Sequence, residues 1–155
     1  MHRIIQSARR SCTAFAAALI VATGSTAAVA SETPTTLQGV KIVTAQEAKQ
    51  MLDRGVPFID ARVASEYAEK TIKGAKSVPY KEKSAKSADF DRKQDQFDVS
   101  KLPADKSAPL VFFCNAGECW KSYKASVVAR DAGYNQVYWL RGGMPEWTAK
   151  GLPTQ

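Results

Sequence analysis

Leu110-Val111-Phe112-Phe113-Cys114-Asn115-Ala116-Gly117-Glu118-Cys119-Trp120-Lys121-Ser122 is the stretch on which the fold turns. Its first four residues are apolar and uncharged, as a central strand covered on both faces requires. The strand ends on Cys114, a loop with one glycine follows, and Cys119 stands where a helix begins. That helix is expected over 118–132, closed by Gly133. A strand-loop-helix turn aims backbone N–H groups and the positive end of a helix dipole at whatever the loop encloses. A thiol placed there is expected to form a reactive thiolate. Two thiols there point to sulfur chemistry rather than to packing.

Working outward, strands and helices alternate. Val40-Lys41-Ile42-Val43 reads as a short strand. Thr44-Ala45-Gln46-Glu47 matches a capping box, and Ala48, Met51 and Leu52 continue a helical stripe up to Gly55. Val56 to Asp60 reads as a buried strand and Ala64 to Lys70 as a short helix. Gly74 to Tyr80 is a turn into a brief strand, Val137 to Leu140 another strand, and Met144 to Lys150 a last helix. This order predicts an α/β fold with a largely parallel sheet. Residues 81–107 interrupt it with Lys, Asp and Ser around the isolated apolar residues Phe90, Phe97 and Leu102. They read as a polar surface insertion held by those three residues, with a lid or a partner surface as the other reading.

The N-terminal end has its own pattern. Arg3, Arg9 and Arg10 precede the apolar run Ala14 to Ala22, and Ala28-Val29-Ala30 is an A-x-A cleavage signal. The expectation is a cleavable export signal over 1–30, a loose leader over 31–38 and one domain over 39–155, in an exported, periplasmic protein with no stable membrane anchor after cleavage. Removing 1–30 takes three of the 22 basic residues and none of the 15 acids, lowering the net charge from +7 to +4. A mild excess of this kind favours small anions and argues against nucleic acid. The one histidine, His2, leaves with the signal, so no Ser-His, Cys-His or His-metal site remains. No metal and no cofactor is expected. Cys114 and Cys119 are the two mature cysteines, in a compartment where a disulfide can persist.

Three ordered segments resemble the rhodanese-like (sulfurtransferase) domain. Asp60-Ala61-Arg62-Val63-Ala64-Ser65-Glu66-Tyr67, with Ile72-Lys73-Gly74-Ala75 and Val78-Pro79, is similar to the family's N-terminal signature. Cys114 stands in the place of its catalytic cysteine, and Leu140-Arg141-Gly142-Gly143-Met144-Pro145-Glu146-Trp147 resembles its C-terminal signature. The resemblance implies a three-layer sandwich with a largely parallel central sheet flanked by helices. It departs from the usual loop at the sixth position, where Cys119 replaces the Arg or small hydroxyl residue and Trp120 follows. In this it looks like a smaller group of exported, single-domain rhodanese-like proteins with a Cys-Trp pair in the loop.

The resemblance implies a chemistry. The Cys114 thiolate takes the outer sulfur of a small anionic donor such as thiosulfate, and a thiol acceptor removes it from the resulting persulfide. The amides of Asn115, Ala116, Gly117, Glu118 and Cys119 are candidates to cradle that anion, with Gly117 allowing a tight turn. Glu118 is expected to point outward. Cys119 resolves the persulfide, or forms a protective disulfide, or is a small residue at a helix start. Lys121 receives the anionic donor or faces solvent. Arg62 is a candidate for substrate contact, with bracing of the loop framework through Asp60 and Glu66 as its structural reading. Two other functions stay open: a thiol-disulfide redox protein using Cys114 and Cys119, and a catalytically silent module that binds a protein partner through 81–107. A phosphatase is disfavoured, because Trp120 occupies the position of its phosphate-binding Arg.

Overall fold

The computed structural model describes residues 31–155. The expected export signal, with His2 and Cys12, lies outside the described residues. The elements are strands β1 (Val40–Ile42), β2 (Phe58–Asp60), β3 (Lys76–Ser77), β4 (Leu110–Phe113) and β5 (Val137–Leu140), and helices α1 (Ala45–Asp53), α2 (Ala64–Glu69), α3 (Trp120–Asp131) and α4 (Gly143–Ala149). The strands form one sheet in the order β1-β5-β4-β2-β3. Every pairing is parallel. The expected α/β fold is therefore the fold observed. Among the described residues no helix is long and apolar enough to cross a membrane.

Strand β4 sits at the centre, and its alternation divides the core. Leu110 and Phe112 face a cluster that includes Trp120, Tyr123, Ala125 and Trp139. Val111 and Phe113 face the opposite cluster, with Ala45, Met51, Met144 and Trp147. Both sides of a parallel strand are thereby dry, which is why its sequence carries no polar residue. Helix α1 starts where the sequence placed it. Glu47 N–H donates to Thr44 Oγ1 at 3.3 Å, and Thr44 N–H donates to Glu47 Oε2 at 2.8 Å. Glu146 of α4 adds to that start by accepting the Ala45 N–H at 2.9 Å.

Residues 81–107 are more than a surface insertion. Phe97 stacks between Tyr80 (5.4 Å between centroids) and Phe112 (6.2 Å), and Leu102 is buried. Beneath the segment lies Lys124 of α3, fully buried. Its Nζ donates to Ser84 Oγ at 2.9 Å and lies 3.7 Å from Asp95 Oδ2. Glu82 Oε2 is 2.9 Å away, without hydrogen-bond alignment. The segment thus covers the outer side of α3 and supplies the counter-charges for a lysine that would otherwise need water. Burial opposes ionisation of Asp95, but hydrogen bonds from Ser84 Oγ, from the Ser84 and Lys83 amides and from Tyr80 outweigh it, holding the carboxyl at about 2.

Lys124→Ala strands two acids under the segment and lowers stability in urea denaturation by about 3–5 kcal/mol, whereas Lys121→Ala on the same helix changes it by less than about 0.5 kcal/mol. Asp95 is depressed from its ordinary value of 3.8 to about 2. Its contribution is therefore complete above the ordinary value and is lost as the pH falls between the two. Acid titration of the melting temperature will show that loss, and Asp95→Asn will remove it.

Candidate active site

Cys114 follows the last residue of β4 and is buried. The loop after it curls back, with Cys119 N–H donating to Ala116 O at 3.1 Å. Cys119 is held in extended geometry (φ −91°, ψ 104°) as the residue before α3, which delays the helix to Trp120. The curl brings the two cysteines to a Cα separation of 6.3 Å, with their sulfurs joined as a disulfide. The Cys114 Sγ also lies 3.1 Å from Cys119 O and 2.9 Å from Ser122 Oγ. Ser122 stands in the first turn of α3, is buried, and accepts the Trp139 Nε1–H of β5 at 2.9 Å.

The backbone differs from expectation in two ways. The left-handed residue is Ala116, at φ 54°, and not Gly117. Gly117 leaves space of a different kind: a Cβ there would lie 2.9 Å from Arg141 Nη2, so the guanidinium would have to shift to accommodate it. The Cys119 amide is committed to Ala116 O and is not part of an open cradle. The amides of Asn115, Ala116, Gly117 and Glu118 have no hydrogen-bond acceptor among the described residues, and they remain candidates to face an anion.

The remaining predicted residues divide. Asn115 is exposed, and its amide donates to Glu66 of α2. Glu118 is exposed, as expected. Lys121 is half-buried at the helix start and has no ion-pair partner among the described residues. Arg62 is engaged in the framework below the loop. Its Nε and Nη2 are bound to Asp60 at 3.0 and 2.6 Å, and Nη2 also donates to Lys70 O at 2.6 Å. Thr71 completes the buried carboxylate's partners at 2.8 Å. Bracing is the role this geometry supports, because a buried carboxylate needs every one of these donors. Among the described residues no group of three or more His, Cys, Asp or Glu side chains is placed to hold a metal ion.

Residues 31–35 contradict the expectation of a loose leader. Thr33 donates twice to Gly117 O, from its amide and its hydroxyl, both at 2.7 Å. Trp120 Nε1 donates to Ser31 O at 2.7 Å. Arg141 donates to Thr33 O at 2.8 Å and to Pro34 O at 3.2 Å. The segment is a strap over the loop, held by main-chain acceptors that composition does not reveal.

The last framework contact is at the turn from β5 into α4. Met144 N–H donates to Cys114 O at 2.9 Å. Gly143 has φ +54°, and a Cβ on it would overlap Cys114 O and lie 2.7 Å from Ala116 N. A backbone must cross here in contact with the cysteine's own peptide group.

The rhodanese-like domain family matches residues 44–150. The chain belongs to the rhodanese-like family. Among solved structures, the Alr3790 protein of Anabaena sp. is 27% identical over 73% of this chain and 90% of its own, with a TM-score of 0.54. The human single-domain sulfurtransferase TSTD1 is 27% identical over 70% of this chain and 96% of its own, with a TM-score of 0.51. Thiosulfate sulfurtransferase from Pseudomonas aeruginosa shares the fold at 21% identity and a TM-score of 0.56, over 75% of this chain and 20% of its own. No curated protein matches the chain. In this rhodanese-like chain the Arg141-Gly142-Gly143 signature has a physical reading: Arg141 holds the strap, and Gly143 lets α4 reach the Cys114 carbonyl.

Ser122 is the site residue that sequence reasoning passed over. Its one sequence signal is its place three residues after Cys119 on the helix expected over 118–132, where residues three apart share a face. Gly143→Ala is expected to cost at least about 2 kcal/mol in chemical denaturation, because strain and backbone overlap add. Gly151→Ala, at φ +64° with open space around it, bears the strain alone and should cost about 1 kcal/mol.

Proposed function

We propose that the protein is a sulfurtransferase or persulfide carrier whose working atom is Cys114 Sγ. Membership of the rhodanese-like family supports sulfur transfer in general. The observation that carries the specific reading is the placement of Cys114 at the end of the central strand, in contact with Cys119 and at the start of α3. The Cys114 thiolate attacks the outer sulfur of a thiosulfate-like donor. The S–S bond of the donor breaks, sulfite leaves with the electron pair, and Cys114 keeps the sulfur as a persulfide. A small thiol or cyanide takes the sulfur from there and returns Cys114 as thiolate.

Cys119 offers a second exit. Its thiolate attacks Cys114 Sγ, the bond to the outer sulfur breaks, and hydrosulfide leaves, so that two thiols are oxidised to a disulfide as the sulfane sulfur is reduced. An external dithiol then resets the pair. The approach of the two sulfurs favours this resolving role. The same approach favours a second reading, in which Cys114 and Cys119 act as a thiol-disulfide redox pair. Cys119 is the more exposed of the two, so an incoming thiolate would attack its sulfur and expel Cys114.

The export pattern of residues 1–30 supports reading this activity as periplasmic, and the proposed chemistry calls for a small anionic donor and a thiol acceptor as partners. Reduced protein incubated with thiosulfate and cyanide is expected to yield thiocyanate. Cys114→Ser abolishes it, and Cys119→Ser accumulates persulfide that the parent converts to disulfide. Absence of thiocyanate from fully reduced protein would leave the redox pair as the better reading. Equal persulfide lifetimes in the parent and Cys119→Ser would remove the resolving role.

A further inference from the structure

We infer that Ser122 is a catalytic residue of this site: its hydroxyl, aimed by the Trp139 indole, donates to Cys114 Sγ and holds the thiolate each time Cys114 is released. The inference rests on the reading that Cys114 is the reacting sulfur. Its basis is an inventory of donors and acceptors. Trp139 Nε1 can only donate, and it donates to Ser122 Oγ at 2.9 Å. That bond uses one of the oxygen's two lone pairs and leaves the hydroxyl proton to find a partner. Cys114 Sγ, 2.9 Å away, is the partner the structure provides. In the disulfide the sulfur has no proton of its own, so the hydroxyl is the donor there without ambiguity.

The other neighbour of the sulfur works in the opposite sense. Cys119 O, at 3.1 Å, accepts from a protonated thiol and repels a thiolate. Ser122 therefore favours the charged form and the Cys119 carbonyl favours the neutral one. Ser122 and Trp139 are both buried, so water does not screen the bond, and hydrogen bonds to a charged partner are the strong ones. The serine is also held in place from outside the loop. It belongs to α3, and the Tyr123 ring of α3 packs edge-on against Trp139 with centroids 5.5 Å apart. The donor is thus held by contacts that lie outside the 115–119 loop and the strap.

The bond serves both exits of the reaction. When an acceptor takes the outer sulfur, Cys114 Sγ leaves with the electron pair. When an external thiolate opens the disulfide at Cys119, Cys114 is again the leaving group. In each case the hydroxyl is positioned where the negative charge appears and needs no reorganisation.

The test uses the full chain with Cys12→Ser and Cys119→Ala, which makes Cys114 the sole thiol, and follows its alkylation by iodoacetamide against pH. Ser122→Ala is expected to raise the midpoint of that profile by about one pH unit, the effect of a single hydrogen bond to a charged group. Ser122→Ala orphans the Trp139 N–H, so a second variant, Ser122→Ala with Trp139→Phe, removes donor and hydroxyl together and is expected to show the same shift. Glu118 in the loop, Lys121 at the start of α3, Arg141 just after β5, Glu66 on α2 and the Asp60–Arg62 pair at the end of β2 are unchanged throughout, so the difference isolates the hydroxyl. A purely structural serine would alter stability and leave the midpoint where it was. An unchanged midpoint in both variants overturns the inference. The assay contains no sulfur donor. A raised midpoint with no thiocyanate formation would therefore count against the proposed function alone, and an unchanged midpoint with normal thiocyanate formation against Ser122 alone.

Discussion

The hydrogen bond from the Met144 amide to the Cys114 carbonyl sets the conditions for the rest of the site. It ties the turn after β5 to the end of β4 at 2.9 Å, and it exists because Gly143 has no side chain. That contact holds the carbonyl of Cys114, whose sulfur lies against Ser122 in the first turn of α3. The loop then has a fixed origin and a fixed end, and five residues must close it. Ala116 takes the left-handed conformation and Cys119 bonds back to Ala116. The approach of the second sulfur follows from that closure. A parallel sheet supplies the frame because both faces of β4 are packed, so neither strand nor helix can shift to relieve the loop.

Charge is handled differently on the two sides of this frame. Around the sulfur the structure uses neutral groups: a hydroxyl, an indole N–H and loop amides. The buried formal charges are engaged by partners elsewhere. Arg62 is spent on Asp60, and Lys124 on Glu82 and Asp95, while Arg141 holds the carbonyls of the strap. A persulfide or thiolate placed among preorganised dipoles is stabilised without a counter-ion that must later be displaced. The strap over the loop adds a condition on access, since Cys114 is buried in this arrangement and Thr33 bonds directly to Gly117 O.

Much of this was legible in the sequence, for identifiable reasons. Strand β4 and helix α3 were readable because an uncharged apolar run has few other uses, and the capping box at Thr44 has a direct local mechanism. The place of Cys114 at the end of that run was legible for the same reason. Long-range partners were not. Lys124 reads as a solvated helix lysine until 81–107 is seen folding over it, and Arg62 reads as an available cation until its bonds to Asp60 and Lys70 O are seen. The strap at 31–35 is bound mainly through backbone carbonyls, which every residue carries and no composition distinguishes. Gly117 invited a reading by backbone freedom, whereas its value is the space it leaves for Arg141. Ser122 needed Trp139, seventeen residues away, to be recognised as an aimed donor.

The central claim is that Cys114 carries the sulfur. Its most direct test is the mass of the fully reduced Cys119→Ser protein after thiosulfate alone, followed by alkylation and peptide mapping, since in that variant no second thiol of the loop can remove the sulfur. One added sulfur atom per chain is expected, located on the peptide containing Cys114 and absent when Cys114 is also replaced by Ser. An unmodified Cys114 under these conditions would contradict it.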